Sequence, residues 1–261
     1  MTRRRWIADE FSDDRAALTG AHAAHLARTL RARLGQRFEV ACGDRVREAT
    51  VISVSDDRVE FALSDDVAAS GVVPITLLLA IFKFDRMEWA IEKCTELNVT
   101  TIVPVVARRT EKHLGLAAAK RPERWRRIAR EAAEQSRRTS PPEIREPLKL
   151  PDALTFCHHE RASAREGSAF SMAPENGASD RNPRIVLAET ERAATLSEIL
   201  RAQGNVTSLA LAIGPEGGWT ADELNLFEQS EWVAASLGDT ILRAETAAIA
   251  ALAIARAEVR D

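Results

Sequence analysis

Segments typical of buried strands alternate with helical segments throughout the chain after Pro74. The run 75–81, ITLLLAI, is apolar without interruption, as expected of a strand buried on both faces of a parallel sheet. Further strands are predicted over 100–106, 185–188, 207–213 and 233–237, and helices over 85–97, 122–138, 195–203, 221–229 and 245–259. Strands that alternate with helices in this way predict an α/β domain with a mainly parallel sheet.

The residues before Pro74 follow a different pattern. After a helix predicted over 21–34, short alternating strands separated by turn sequences are predicted over 38–41, 49–54 and 58–63. We therefore expect a small β-rich domain at residues 1–72 and the α/β domain at residues 73–261. The segment 157–183 is polar and shows no period, so a surface loop is predicted there.

Length and composition exclude several classes of protein. A chain of 261 residues that is 45% apolar can bury a core without a disulfide or metal staple, and its three cysteines form no CxxC pair, so we predict no metal site. No stretch approaches the roughly 18–20 apolar residues of a membrane span. The charged N-terminus also lacks the apolar core of a signal peptide. We expect a cytoplasmic protein with no membrane partner.

The formal net charge of −3 conceals two basic zones. Residues 1–47 hold ten arginines against six acidic residues, a net charge of +4, and residues 108–138 hold eleven basic residues against four, a net charge of +7. The last stretch, 205–261, has a net charge of −6. Solvated helix faces would explain either basic zone alone. Two Arg-rich zones in one chain favour a polyanionic partner, because the guanidinium group binds phosphate bidentately.

Three loops of the α/β domain carry residue types suited to a ligand site. They follow the strands at 185–188, 207–213 and 233–237, and they contain Glu189, the glycine-rich sequence 214–218 and the sequence 238–246. Ligands of open parallel sheets bind beyond the carboxyl ends of the strands, so the three loops are expected to converge.

Two of these loops leave alternatives open. The glycine loop matches neither the dinucleotide-binding nor the P-loop motif, so a plain strand-to-helix turn competes with a binding loop. Thr220 and Glu223 predict a capping box at the start of the next helix. Ile241 and Leu242 stand in a loop that should be polar, which indicates either an apolar wall for a ligand or a buried loop.

These motifs together resemble those of a known family. The sequences IGPEGGW at 213–219 and LGDTILRAETA at 237–247 are similar to motifs of the RsmE family of 16S rRNA uridine-N3 methyltransferases, in the SPOUT or trefoil-knot superfamily. The likeness continues through Arg5-Trp6, the helix at 85–97 and the sequences 108–110 and 131–138, and it spans nearly the whole chain. Departures such as Trp219, where Phe or Leu is usual, remove no group with obvious chemistry.

The resemblance implies an N-terminal PUA-like β-barrel that binds RNA, followed by a SPOUT α/β domain with a deep C-terminal trefoil knot. It implies methyl transfer from S-adenosylmethionine to N3 of a specific uridine in 16S rRNA, with the 30S ribosomal subunit as partner. Family members are homodimers, and the helix at 245–259 suits packing on a second copy or on its own sheet equally well. The alternatives are a catalytically inactive RNA-binding or ribosome-assembly protein of the same fold and a small-molecule α/β enzyme.

The resemblance also implies the functional residues. Those expected to bind the cofactor are Leu187, Ala188, Glu189, Ile213, Gly214, Pro215, Glu216, Gly217, Gly218, Leu237, Gly238, Ile241, Leu242 and Arg243. Arg243 is a candidate to stabilise the uracil oxyanion and Glu245 to accept or orient the proton, the alternative being an ion pair between them that only holds the knot together. Contact with RNA is expected from Arg5, Arg31, Arg109, Arg137 and Arg138.

Overall fold

Each of the two units into which the chain divides is built on its own β-sheet. A computed structural model describes residues 5–43, 45–67, 72–167, 182–191 and 194–259. One unit holds residues 1–71 together with 130–141, and the other holds residues 72–129 and 142–261. Residues 130–141 thus pack with the N-terminal unit, although a long stretch of chain separates the two.

The N-terminal unit is a curled sheet of six strands in the order β1-β4-β5-β6-β3-β2. The strands are β1 Trp6–Ile7, β2 Glu10–Phe11, β3 Arg15–Thr19, β4 Arg37–Cys42, β5 Arg45–Val54 and β6 Arg58–Val67. All neighbours are antiparallel except β1 and β4, which are parallel. Two register shifts between β5 and β6 mark bulges, which bend and twist a strand and so help the sheet to curl.

The three strands predicted in this unit are confirmed as β4, β5 and β6. Trp6, Leu18 and Leu26 are buried with the inward side chains of these strands in one core. The helix predicted over 21–34 is wrong in extent, because α1 covers Gly20–Ala24 and a π-helical turn, His25–Thr29, follows it. Arg31 then adopts a φ of 52°, in the left-handed region, where a right-handed helix cannot continue.

The second unit holds an entirely parallel sheet in the order β10-β8-β7-β12-β11-β13, with β9 paired to β8 beside β10. Its strands are β7 Ile75–Ala80, β8 Thr101–Val106, β9 Glu143–Ile144, β10 Leu148–Lys149, β11 Arg184–Leu187, β12 Leu209–Ile213 and β13 Val233–Ala235. The predicted α/β class with a mainly parallel sheet is confirmed. Because all strands run the same way, their carboxyl ends lie at one edge of the sheet.

Helices cover both faces of this sheet. They are α2 Phe84–Glu96, α3 Lys112–Ala118, α4 Pro122–Gln135, α5 Leu150–Gly167, α6 Leu196–Gln203, α7 Ala221–Gln229 and α8 Ala244–Glu258. Leu77 and Leu79 of β7 are buried in one core with side chains of α2, α6 and α8, whereas Leu78 and Ala80 are buried in a second core with side chains of α5 and α7. Burial on both faces explains why the run 75–81 has no charged position.

The surface loop predicted over 157–183 is wrong for its first part. Helix α5 continues to Gly167, and residues 168–181 lie outside the described residues. Ala153, Leu154 and Cys157 are buried against the sheet, so packing anchors the start of this helix. The sequence that follows is rich in Ala, Glu and Arg, which favour a helix without producing an amphipathic period.

The C-terminal helix α8 packs within its own unit against α2, α6 and β12. Arg256, near its end, donates to the carbonyl oxygens of Val73 at 2.7 Å and Leu97 at 3.3 Å, and also to that of Asn98. Packing on its own sheet, one of the two alternatives for this helix, is therefore observed. Within the described ranges no helix combines the length and apolar character needed to cross a bilayer.

Candidate active site

The loops that follow β11, β12 and β13 line one cavity of about 450 Å³ at the carboxyl edge of the parallel sheet. β11 pairs with β12 on one side and with β13 on the other, so the three strands are direct neighbours. Loops that leave neighbouring parallel strands at the same edge must approach one another. The convergence predicted from the sequence is therefore present in the structure.

Every residue expected to bind the cofactor lines this cavity. They come from the loop after β11 (Leu187, Ala188, Glu189), from the end of β12 and the glycine loop (Ile213, Gly214, Pro215, Glu216, Gly217, Gly218) and from the loop after β13 (Leu237, Gly238, Ile241, Leu242, Arg243). Trp219, Thr190, Asp239 and Thr240 complete these loops. That these residues bind a cofactor stays a prediction.

Two glycines of the glycine loop lie in tight contact with neighbouring side chains. A Cβ atom on Gly214 would lie 3.2 Å from Trp219 Nε1, and one on Gly217 would lie 3.2 Å from Arg109 Cδ. Gly218 has a φ of 70°, a conformation that side-chain-bearing residues rarely adopt, and its N–H donates to the carbonyl oxygen of Pro215 at 2.8 Å. The loop is therefore a tight turn whose backbone faces the cavity.

The capping box predicted for the next helix is confirmed. The Thr220 hydroxyl accepts from the N–H of Glu223, and the Glu223 carboxylate accepts from the N–H of Thr220 at 2.9 Å. Glu223 is 3% exposed, and its other oxygen accepts from the N–H of Arg108 at 2.8 Å. The neighbouring Arg109 side chain donates to the Gly217 carbonyl oxygen. These bonds attach the loop after β8 to the glycine loop and bring Arg109, predicted to contact RNA, to the cavity wall.

The exposure of the apolar residues in the cavity distinguishes the two alternatives for Ile241 and Leu242, which were an apolar wall for a ligand and a buried loop. Leu187 and Leu237 are half-buried and pack against the core of the sheet. Ile241 is 73% exposed, although it is a large aliphatic residue in the cavity wall. Leu242 beside it is half-buried. An exposed isoleucine next to half-buried leucines fits an apolar wall for a ligand better than a closed core.

Two basic residues of the cavity come from the chain after β7. Lys83 and Arg86 lie at the start of α2 and line the cavity. Arg86 Nη1 donates to Glu216 Oε1 at 3.1 Å and lies 3.7 Å from Glu245 Oε1. Neither residue is among those predicted from the sequence to line the site. The pairing of β7 with β12 brings both residues to the cavity, and this pairing is known only from the strand order of the sheet.

The two predicted catalytic residues lie in different environments. Arg243 is the exposed N-cap of α8 and lines the cavity. Glu245, in the first turn of α8, is 6% exposed and is not among the described residues that line the cavity. Its ion-pair partner is Arg86, so the alternative of a pair between Arg243 and Glu245 does not describe this site.

The other residues predicted to contact RNA belong to the N-terminal unit. Arg5 Nη2 lies 3.1 Å and Arg137 Nη2 lies 2.6 Å from Glu39 Oε2, and Arg5 also donates to the Arg137 carbonyl oxygen. The hydrogen bond from Arg137, aided by Arg5, holds the pKa of the Glu39 carboxyl below its ordinary value although burial opposes the shift. Arg31 is exposed and Arg138 is half-buried. Arg5 and Arg137 are thus already paired with the Glu39 carboxylate.

Comparison with known proteins gives the class of this site. Residues 70–256 match the family model of an RNA methyltransferase domain. The chain is similar to Ribosomal RNA small subunit methyltransferase E of Bacillus subtilis (strain 168), with 29% identity over 250 residues that cover 90% of this chain and 87% of that protein. It is similar to the protein of the same name from Synechocystis, with 30% identity over 237 residues that cover 90% of this chain and 71% of that protein.

A solved structure agrees with these relatives. The Ribosomal RNA small subunit methyltransferase E from Neisseria gonorrhoeae, bound to S-adenosyl methionine, superposes with a TM-score of 0.78 and 27% sequence identity and covers 98% of each chain. The chain therefore belongs to the ribosomal RNA small subunit methyltransferase E family. The family resemblance seen in the glycine loop and in the sequence 237–247 is confirmed.

Proposed function

We propose that this chain transfers a methyl group from S-adenosylmethionine to N3 of a specific uridine in the 16S rRNA of the small ribosomal subunit. The observation that carries the proposal is the cavity in which the loops after β11, β12 and β13 meet. The names of the relatives from Bacillus subtilis and Synechocystis support the substrate, and the cofactor bound to the Neisseria gonorrhoeae protein supports the methyl donor.

The residues of the cavity fit S-adenosylmethionine. A volume of about 450 Å³ lies within the range of small-molecule sites, which is roughly 300–1,000 Å³. The backbone of the glycine loop lines the cavity, and Cβ atoms added at Gly214 and Gly217 would each lie 3.2 Å from a neighbouring side chain. Leu187, Leu237 and Ile241 supply apolar surface for an adenine ring. The loops 187–189, 213–218 and 237–243 would hold the cofactor.

The chemistry divides between the cofactor and the chain. S-adenosylmethionine supplies a methyl group that is transferred to uracil N3 as N3 loses its proton and the C–S electron pair stays on sulfur. The chain must favour loss of that proton, because N3 is protonated at neutral pH. Arg243, exposed in the cavity wall, would stabilise the negative charge that develops on a uracil oxygen. Glu245 is buried and paired with Arg86, which fits an orienting role better than proton acceptance.

Recognition of RNA is proposed for both units. We assign residues 1–72 to a PUA-like RNA-binding domain and residues 73–261 to a SPOUT methyltransferase domain. The six-stranded curled sheet supports the first assignment. Arg109 in the cavity wall and the exposed Arg31 carry charges with no ion-pair partner among the described residues, while Arg5, Arg137 and Arg138 complete the proposed contacts.

A C-terminal trefoil knot is proposed on the path of the last segment. β13 lies beyond β11 at the edge of the sheet, yet α8, which follows it, packs against β12 and α2. Ser236, which follows β13, and Thr195, which precedes α6, form a parallel bridge. The position of α8 and this bridge support a C-terminal segment that passes the loop after β11. We also propose a homodimer acting on the 30S subunit in the cytoplasm, as the family resemblance implies.

The experiment that tests the proposal measures both substrates. Calorimetry should detect binding of S-adenosylmethionine, and the purified protein should methylate either 30S subunits or naked 16S rRNA, with the modified uridine mapped by primer extension and mass spectrometry. Cofactor binding without methylation of either RNA would favour the inactive RNA-binding alternative. A methylated atom other than uracil N3 would overturn the proposed specificity, and absence of cofactor binding would overturn the proposal as a whole.

A further inference from the structure

One guanidinium group joins three parts of the cavity wall. Arg86 lies in the first turn of α2 and lines the cavity. Its Nη1 atom donates to Glu216 Oε1 at 3.1 Å and lies 3.7 Å from Glu245 Oε1. Glu216 belongs to the glycine loop and Glu245 to the first turn of α8. The Arg86 side chain therefore bridges α2, the glycine loop and α8.

The two carboxylates differ in how they depend on Arg86. The Glu216 side chain is 37% exposed, so water can solvate it, and exposed ion pairs contribute little to stability. The Glu245 side chain is 7% exposed, and its Oε2 atom has no hydrogen-bond partner among the described residues. A buried carboxylate that loses its counterion is strongly unfavourable. The pair with Glu245 is therefore the stronger constraint, although the N-terminal position of Glu245 in α8 also favours its charge.

The position of Glu245 is coupled to the cavity through the start of α8. Arg243 is the N-cap of this helix, and the loop residues Ile241 and Leu242 precede it in the cavity wall. A shift of the first turn of α8 would move all three. The glycine loop lines the same cavity, and Glu216 is its charged residue.

We propose that Arg86 is a positioning residue that holds the start of α8 and the glycine loop at a fixed separation and so preforms the cofactor cavity. Arg86 acts through Glu216 and Glu245, which it joins, and through the loops that carry them. The inference rests on the proposed function, because these loops are the ones proposed to hold S-adenosylmethionine.

Calorimetric affinity for S-adenosylmethionine tests this role in the full-length protein. We expect Arg86→Ala to weaken binding roughly tenfold or more, the scale of one charge-assisted hydrogen bond. Arg86→Lys should recover part of the loss, because the ammonium group keeps the positive charge but sits on a shorter side chain than the Nη1 atom that contacts both carboxylates. In the double variant Arg86→Ala/Glu216→Gln, the Glu216→Gln change should weaken binding less than it does in the wild-type background, because Glu216 has already lost Arg86 as its partner.

Arg201→Ala is a matched control. Arg201 pairs with Glu258 near the other end of α8, with Nε 2.9 Å from Oε2 and Nη2 2.7 Å from Oε1, and it does not line the cavity formed by the described residues. This variant removes the same side chain and an ion pair to the same helix. Its affinity for S-adenosylmethionine should equal that of the wild type.

The outcomes separate the inference from the proposed function. If the wild type binds the cofactor and folded Arg86→Ala binds it equally well, the positioning role is wrong while the proposed function stands. Failure of the wild type to bind would overturn the proposed function itself. Should Arg86→Ala not fold, Glu245→Gln keeps the shape of the side chain but removes the charge of the stronger pair and should weaken binding severalfold, so an unchanged affinity in that variant would overturn the inference.

Discussion

The backbone N–H of Arg108 donates to Oε1 of Glu223 at 2.8 Å. The other oxygen of this carboxylate accepts from the N–H of Thr220 in the capping box of α7. The buried Glu223 side chain thus caps the start of α7 and also attaches the loop after β8 to the segment that follows the glycine loop. The capping box is visible in the sequence as the spacing of Thr220 and Glu223, whereas the bond to Arg108 depends on which strands are neighbours.

Replacement of Glu223 by alanine should affect both stability and the cavity. We expect a loss of about 2 kcal/mol in the free energy of unfolding, from the lost cap and the buried N–H of Arg108 left without its acceptor. Affinity for S-adenosylmethionine should also fall, because Arg109 and Gly217 lose their fixed separation. Chemical denaturation and calorimetry measure the two effects.

A second capping box supplies the control for this prediction. Glu198 forms the same motif with Thr195 at the start of α6, and in the described part of the chain it makes no hydrogen bond to another loop. Glu198→Ala should therefore lower stability and leave cofactor affinity unchanged. Equal losses of affinity in the two variants would show that Glu223 acts as a cap alone.

Arg243→Ala should slow methyl transfer more than it weakens cofactor binding. Loss of one preorganised donor to a developing oxyanion costs roughly 10²–10³-fold in rate. Single-turnover transfer to RNA at saturating S-adenosylmethionine measures the rate, and calorimetry measures the affinity. A single-turnover rate within about twofold of the wild type would exclude a catalytic role for Arg243 on that scale.

Glu245→Gln should give the opposite result. The amide keeps the shape of the side chain but loses the charge that pairs with Arg86, so stability and cofactor affinity should fall. At saturating cofactor its single-turnover rate should stay near that of the wild type, because Glu245 is not among the described residues that line the cavity. A rate loss on the scale of Arg243→Ala at saturating cofactor would instead identify Glu245 as the proton acceptor.

The sequence predicts the loops after β11, β12 and β13 because each loop directly follows its own apolar strand. Lys83, Arg86 and Arg109 were not predicted as cavity residues, since they follow β7 and β8. These strands meet the site only through the order β8-β7-β12, which is a long-range property of the sheet. Ligands of open parallel sheets bind beyond the carboxyl ends of the strands, so a known strand order would have added the loops after β7 and β8 to the predicted site.

The charge of a segment can be counted from the sequence, but the ion pairs of its residues depend on the fold. The excess of arginine in residues 1–47 and 108–138 is visible in the sequence, but the partner of each arginine is not. Glu39 lies far along the chain from Arg137, and the two meet because residues 130–141 pack with the N-terminal unit. A net charge therefore predicts a polyanionic partner without showing which arginines remain unpaired to bind it.

Arg109 and Arg137 should differ in their contribution to RNA binding. Arg109 is exposed and has no acidic partner among the described residues, so Arg109→Ala should reduce the slope of log affinity against log salt concentration by about one. Arg137 is paired with Glu39, so Arg137→Ala should change the slope less. Filter binding to 16S rRNA across a salt series measures both. Equal slopes for Arg109→Ala and the Arg201→Ala control would show that Arg109 makes no phosphate contact.

The cluster of Arg5, Glu39 and Arg137 should make the stability of the protein depend on acid. Arg137 and Arg5 lower the pKa of Glu39 from its ordinary value of 4.5, so folding is favoured by the ionised carboxylate. This contribution is fully present above the unfolded pKa and is lost as the pH falls through the folded pKa. We expect it to amount to about 1 kcal/mol or less, because the arginine partners are partly solvated.

Urea denaturation of the wild type and of Glu39→Gln between about pH 7 and pH 3 measures this contribution. The two proteins should differ most at neutral pH and converge as the carboxylate of the wild type takes up its proton. Arg28→Ala, which breaks the exposed pair of Arg28 with Asp56, is the control for a surface ion pair of the same unit and should change stability less. A difference between wild type and Glu39→Gln that stays constant down to the lowest pH would show that the Glu39 charge does not stabilise the fold.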